Sequence, residues 1–277
     1  MRNIFYFSLI VVFVLLNGCA SQLVKPGINH PTDGNAYQLP DSSIYQGETK
    51  NGLFHGEGTL SWRNGGQYSG HFANGLFNGM GRMQTANGDV YEGNFSEGLF
   101  QGAGVMTFNN GDQYHGQFSN DQFNGPGTFL FHNGDRYEGY FKDGDFDGEG
   151  KLLLKEQGVY QGSFRAGQFE GKGVFVYDNG QRYEGDFHQG FYHGNGVLNY
   201  PSGATYMGEF RLGKKQGKGK FVWPSGDYYI GTFDRDMKHG IGLCQIRTVV
   251  ADCLYKNDKL IFFGKPRNTE DDKRYRT

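Results

Sequence analysis

An all-β fold is what this sequence predicts: an elongated single-layer antiparallel meander, a solenoid-like array of 23-residue β-hairpin repeats. Three observations predict it. Tyr-x-Gly recurs at Tyr45, Tyr68, Tyr91, Tyr114, Tyr137, Tyr160, Tyr183, Tyr206 and Tyr229, always at a 23-residue step. Each unit carries two turn signals, an Asn-Gly such as Asn64-Gly65 and a triplet ending in glycine such as Ser96-Glu97-Gly98. Glycine contributes 47 of 277 residues, but it keeps the same period and interleaves with Tyr and Phe, unlike a low-complexity linker. A unit of this length cannot bury its own apolar surface and must stack on its neighbours.

The chain opens differently. Arg2 precedes the apolar run Ile4 to Leu16, followed by Asn17-Gly18-Cys19. A positive start, a short apolar stretch and small residues at a cleavage point make residues 1–18 a signal peptide. As a helix that run reaches only about 20 Å, short of a bilayer core, so a transmembrane anchor is the weaker reading. Leu16-Asn17-Gly18-Cys19 resembles the lipobox of bacterial lipoproteins, with Asn17 a departure from its usual small or branched residue. The resemblance implies cleavage before Cys19 and lipidation of its thiol; ordinary secretion with an incidental Cys19 is the alternative. In a Gram-negative cell, Ala20 in place of an aspartate points to the outer membrane. Residues 19–44, with Pro26, Pro31 and Pro40 and no periodicity, read as a lipidated N-terminus and flexible tether.

The array runs over residues 45–251, eight in-frame units and a degenerate ninth. The Asn-Gly pairs are expected to form two-residue type I′ hairpin loops, and the triplets three-residue loops with a left-handed glycine bulge. One loop of each parity returns every Tyr to the same face after an odd repeat, because strand side chains alternate. On this count Tyr91, Gly93 and Phe95 share one face, and Phe100, Met106 and Phe108 lie on the other. Residues 252–266 form a terminal strand or cap, and 267–277 a charged tail expected to be disordered.

Tyr-x-Gly-x-Phe followed by Gly-x-Gly at this spacing resembles the MORN repeat over three quarters of the chain. The unit at Tyr137 departs from it, with Glu156-Gln157 where Asn-Gly should fall. The resemblance implies a non-catalytic module for membrane attachment, scaffolding and protein contact. Binding of phospholipid is associated with the family and is not legible in these residues.

Other motifs dissolve into the frame. Gly208 to Lys214 spells Gly-x-x-x-x-Gly-Lys, but Lys215 stands where a phosphate loop needs Ser or Thr, and the glycine spacing recurs in nearly every unit. Asp143, Asp145, Asp147 and Gly148 begin like a calcium loop, yet Leu154 holds the position of the bidentate Glu. His55, His193 and His239 share one repeat position in units too distant to meet at one ion. No catalytic residue, metal site or cofactor is therefore expected, and a formal charge of -2 offers nothing to nucleic acid.

Two binding features remain. Phe54, Phe77, Phe100, Phe123, Phe146, Phe169 and Tyr192 recur at one position, a strip that structure alone explains in large part but that could also meet a partner. Arg211, Lys214, Lys215, Lys218 and Lys220 form a basic patch, read either as a solvated solenoid end or as attraction to an anionic surface. The leading reading is a lipid-anchored envelope scaffold contacting another envelope protein. The alternative is a binder of anionic lipid or envelope polysaccharide through the same sheet. Finally, placing the ninth unit's turn at Thr248-Val249 sets Cys244 directly opposite Cys253 in a non-hydrogen-bonded pair. A disulfide can close there in an oxidising compartment.

Overall fold

The computed structural model describes residues 36–266, so the signal peptide, Cys19, most of the tether and the tail lie outside the described residues. The chain is all-β, and among the described residues there is no helix. It divides into two bodies at Lys155 and Glu156, where the Asn-Gly turn has been replaced. The first holds eleven strands, from Ala36–Gln38 to Asp145–Leu154, and the second ten, from Gly158–Arg165 to Lys259–Pro266. Within each body every strand pairs antiparallel with its neighbours in sequence.

The unit at Tyr91 shows what the repeat encodes. Its strands Val90–Ser96 and Leu99–Thr107 set Gly93 opposite Gly104. Tyr91 lies over that bare pair: a Cβ on Gly104 would come 2.6 Å from Tyr91 Cε2, and one on Gly93 2.5 Å from its hydroxyl. Neither strand tolerates a side chain there. The hydroxyl donates to the Asn94 carbonyl at 2.8 Å, which keeps a fully covered phenol hydrogen-bonded. Phe100 stacks on the ring at 3.8 Å between centroids, while Phe95 and Phe118 meet it edge-on at 5.1 and 4.9 Å. Tyr160 repeats the arrangement in the second body, with Phe169 stacked at 3.8 Å and Phe164 and Phe187 edge-on at 5.0 Å each. Such pairs contribute about 0.5–1.5 kcal/mol each beyond their burial.

The two turns are the reverse of those the sequence led us to expect. Ser96 pairs with Leu99, and Glu97 and Gly98 both take positive φ, 51° and 85°, so the triplet contains the two-residue loop. At the other end Trp62 N–H donates to the Gly66 carbonyl at 2.9 Å and Gly65 N–H to the Trp62 carbonyl at 3.0 Å. That closes a three-residue loop in which only Gly65 is left-handed, at φ 91°. Asn64 instead uses its side chain, whose Oδ1 accepts from Gly66 N–H at 3.1 Å.

The swap moves half the side chains. A one-residue change of register turns a strand over, so Met106 stands opposite Tyr91 and Phe100 opposite Phe95. Phe100, Met106 and Phe108 therefore lie on the tyrosine face, and all three are buried. Every aromatic row of the repeat packs on one face, while the other carries mostly polar groups.

Two further bonds tie one unit to the next. The backbone N–H of Gly98 donates to the Phe77 carbonyl at 3.0 Å. The aspartate after Asn-Gly or Ser-Gly reaches into the following turn: Asp89, Asp112, Asp135 and Asp227 accept from the N–H of Asn109, His132, Lys155 and Arg247 at 2.8, 2.7, 2.7 and 2.6 Å.

The last hairpin is closed by a disulfide between Cys244 and Cys253, with Cα atoms 5.8 Å apart. Its register differs from the expected one. Ile246 pairs with Val249, so the turn is Arg247-Thr248, Cys244 faces Ala251, and Cys253 faces Gly242. The bond is diagonal across the hairpin. The earlier turn gives the left-handed place to unbranched Arg247, at φ 55°, and returns β-branched Val249 to a strand.

Candidate functional site

The aromatic strip is interior. Phe54, Phe77, Phe100, Phe123, Phe146 and Phe169 are all buried, at 7% exposure or less. Each stacks on the Tyr of its own unit, as Phe54 does on Tyr45 at 3.7 Å and Phe146 on Tyr137 at 3.6 Å. A partner cannot touch rings whose faces are already occupied, so these residues hold the surface rather than form it. Tyr192 stacks on Tyr183 at 3.7 Å and shares a hydroxyl–hydroxyl hydrogen bond with Tyr177. Burial first, then that neighbouring phenol, pushes the Tyr192 hydroxyl far above the ordinary tyrosine range.

What the tyrosine face does offer lies nearer the three-residue turns. Trp62, Phe131, Tyr177, Tyr200 and Trp223 stand two residues before the Asn-Gly or Ser-Gly dipeptide and are half-buried. Their regular spacing, two residues before each dipeptide, is itself visible in the sequence.

The basic patch is split by strand alternation. Arg211 pairs with Lys214 on the outward face, and Lys218 N–H there donates to Glu209 Oε1 at 2.9 Å. Lys220 lies with its Nζ 4.9 Å from the centre of the Tyr228 ring. Lys215 points the other way, opposite Phe210, into the aromatic row that Phe fills elsewhere. Its ammonium lies 5.6, 5.7 and 5.5 Å from the ring centres of Tyr200, Tyr206 and Phe221, and donates to the Tyr200 hydroxyl at 3.1 Å. One unit later Lys238 does the same among Phe221, Trp223 and Tyr255, at 5.6, 5.3 and 5.3 Å, and pairs with Asp258 at 2.7 Å. Burial alone would raise the Asp258 carboxyl, but hydrogen bonds from Lys238 and the charges of Lys238 and Lys215 hold it below the ordinary range. Lys238 alone is ion-paired with Asp258, while Lys215 acts on that carboxylate only as a nearby charge; both ammoniums lie among aromatic rings, a cation–π arrangement in which each contact contributes about 0.5–2 kcal/mol.

The acidic run and the histidines stay separate. Asp145 pairs with Lys142 beside the turn that holds Asp143, and its carboxyl is raised by burial and then by the charges of Asp147 and Asp143. Among the described residues no group of three or more His, Cys, Asp or Glu side chains could hold a metal ion. The position shared by His55, His193 and His239 has a turn-capping role in other units. There Gln101, Glu170 and Gln216 accept from the N–H of Asn120, Gln189 and Arg235 at 3.2, 3.1 and 3.2 Å. His193 makes no such bond, and its buried Nδ1 has no partner.

The outward face carries what the fold leaves free. The residue after Tyr stands exposed there in every unit but the last, where Ile230 is half-buried: Gln46, Ser69, Glu92, His115 and Glu138 in the first body, Gln161, Glu184 and Met207 in the second. Tyr and its glycine pair do not change.

Comparison with known proteins agrees on the repeat. A profile of the MORN repeat matches residues 45–67, 68–90, 91–113, 114–136, 137–156, 160–182, 183–205, 206–228 and 229–247. No curated protein matches the chain. Among solved structures, the TCP10 domain of Danio rerio CPAP in complex with a peptide of Danio rerio STIL is 15% identical, with a TM-score of 0.45. That match covers 83% of this chain and 98% of that one. The SAS-4 (dCPAP) TCP domain of Drosophila melanogaster, in complex with a proline-rich motif of Ana2 (dSTIL), is 14% identical with a TM-score of 0.35. It covers 68% and 100% of the two chains.

Proposed function

The chain belongs to the MORN-repeat family, and from that premise we propose that it is a non-catalytic scaffold of the cell envelope, lipid-anchored through Cys19, whose outward face contacts another envelope protein. The observation that carries this reading is the contrast between the two faces. Tyr and its glycine pair are fixed from unit to unit because each is spent on the fold, whereas the residue after Tyr changes among units at a constant register. Within each body, a row of exposed side chains held at one spacing is suited to many-point contact with a protein. The leader sequence supports export, and Ala20 after Cys19 supports the outer membrane in a Gram-negative cell.

The test is affinity purification of the lipidated protein from its native envelope, repeated with Glu92, His115, Glu138 and Glu184 replaced by alanine. A co-purifying protein lost in this variant, with folding intact, supports the reading; an unchanged set of proteins overturns it. Cys19→Ala should leave the protein unprocessed or released from the membrane, and a mature N-terminus elsewhere without acyl mass would remove the anchor.

A second reading is favoured by Lys215, whose ammonium has aromatic rings and one hydroxyl around it but no carboxylate of its own. This end would receive anionic lipid or polysaccharide. Salt-dependent binding to phosphatidylglycerol vesicles or an anionic polymer, lost in Lys215→Phe, supports it.

A further inference from the structure

The last strand, Lys259–Pro266, is the surface that the repeat frame does not explain. It pairs with Val249–Lys256 and, among the described residues, has no strand on its other side. Open edges are ordinarily blunted by charge, proline or strong irregularity, since their unpaired N–H and C=O groups recruit other strands. The strand is irregular in two places, between its pairings to Ala251 and Cys253 and between those to Leu254 and Tyr255, and it begins at Lys259 and ends at Pro266. Leu260, Ile261 and Phe262 are nevertheless 39%, 53% and 56% exposed.

The apolar groups are also ordered. Ile241 stands opposite Leu254, and Leu254 opposite Phe262, a ladder across three strands that runs out at the open edge. Ile241, 71% exposed, occupies a repeat position held by Glu57, Lys172 and Lys218 in some units and by Met80, 66% exposed, in another, so the fold does not require an apolar side chain there.

We propose that this edge takes up an extended segment of a partner protein as an added antiparallel strand. The segment carries apolar residues at alternate positions, one of them continuing the ladder past Phe262, and acidic residues where it meets exposed Lys256 and Lys259. The inference rests on the protein-contact reading above and assigns it a place. Main-chain hydrogen bonds supply the affinity in this mode and the alternate side chains the specificity. A second copy of the chain fits less well. Two-fold pairing sets against Lys259 a strand, Lys259–Pro266, that has no acidic residue to meet it, and like charges across a strand pair are destabilising. Acidic ends turn the same positions into attraction.

The experiment uses the full chain and short synthetic peptides of alternating valine and threonine, ended by glutamate, ended by lysine, or interrupted by a central proline. Binding is read by peptide anisotropy and by hydrogen exchange. The glutamate-ended peptide should bind and protect the amides of Lys259 to Gly264. The lysine-ended peptide should bind about tenfold more weakly, and the proline peptide, lacking a central donor, not measurably. Phe262→Thr should weaken binding about fivefold while the disulfide-linked hairpin keeps its exchange protection. Absence of protection at this strand with every peptide, or protection elsewhere, overturns the proposal. So does a dimer whose dissociation exposes these amides, since the occupant is then a second copy. Envelope capture with Phe262→Thr separates the two readings: a partner retained there but lost in the outward-face variant leaves the scaffold standing and removes the edge.

Discussion

The unit at Tyr91 and the unit at Tyr229 have the same frame and hold it by different means. In the first, Phe100 stacks on the tyrosine and Phe95 and Phe118 close around it. In the second, Lys238 has replaced the stacking ring, and Phe233 and Tyr255 meet Tyr229 edge-on at 5.5 and 5.0 Å. The interior unit has a neighbour on both sides to complete its core. The terminal one has instead a disulfide, a salt bridge to Asp258 and a chain of cation–π contacts. A repeat can therefore give up its strongest apolar contact at the end of an array, provided covalent and ionic contacts replace the missing unit.

Alkali gives the largest expected effect on this comparison. Burial raises the Tyr45 and Tyr229 hydroxyls to about 12, and those of Tyr68, Tyr91, Tyr114, Tyr137, Tyr183 and Tyr206 further. An acid whose folded pKa is raised stabilises the fold fully below its unfolded pKa, 10.0 for tyrosine, and loses that stabilisation as pH rises toward the folded value. Unfolding free energies from urea titrations should be flat up to about pH 10 and fall steeply above it, with a ceiling of about 1.4 kcal/mol per pH unit for each tyrosine. Ultraviolet titration of the folded protein should show Tyr45 and Tyr229 ionising before the other six of these buried tyrosines.

Truncation comes next. Tyr91→Ala should cost about 4 kcal/mol, and Tyr229→Ala roughly half as much, because the stacked ring is already absent there. Equal losses in chemical denaturation would show that the end is packed like the middle. Reduction of the disulfide should cost about 2 to 3 kcal/mol, confined to the terminal hairpin, with hydrogen exchange accelerating near Cys244 and Cys253 and unchanged around Tyr91. The smallest effect is at the two-residue turns. Leu212 takes φ 50°, where the corresponding residues Asn51 and Asn74 take 53° and 51°. Leu212→Asn should therefore stabilise by about 0.5–1 kcal/mol in thermal unfolding.

Much of this was legible because a period constrains many residues at once. The repeat length and the two hairpin turns per unit follow from spacing, whereas the Cys244 and Cys253 partnership was reached through a register one residue away from the true one. Which turn had two residues and which had three did not follow from spacing. Asn-Gly suits both positive-φ places of a type I′ loop and equally the last two places of a type I turn with a left-handed glycine. That one ambiguity moved Phe100, Met106 and Phe108 to the wrong face and made a buried row look like a contact strip. The aspartates after Asn-Gly escaped notice because their partner lies one unit away, beyond any local pattern. Lys215 and Lys238 were visible as substitutions for Phe, but their rings come from adjacent strands, and only the register reveals them.

The glycine pair beneath each tyrosine also fixes how such a chain can change length. An insertion of one residue within a strand turns the rings that follow it in that strand to the opposite side, and an insertion of two there leaves a tyrosine over a strand position that has a side chain. A gain or loss of a whole 23-residue unit returns both the face and the bare platform to their places. A gene of this kind can grow or shrink by whole copies of itself, with each added copy bringing one new exposed residue to the row after the tyrosines.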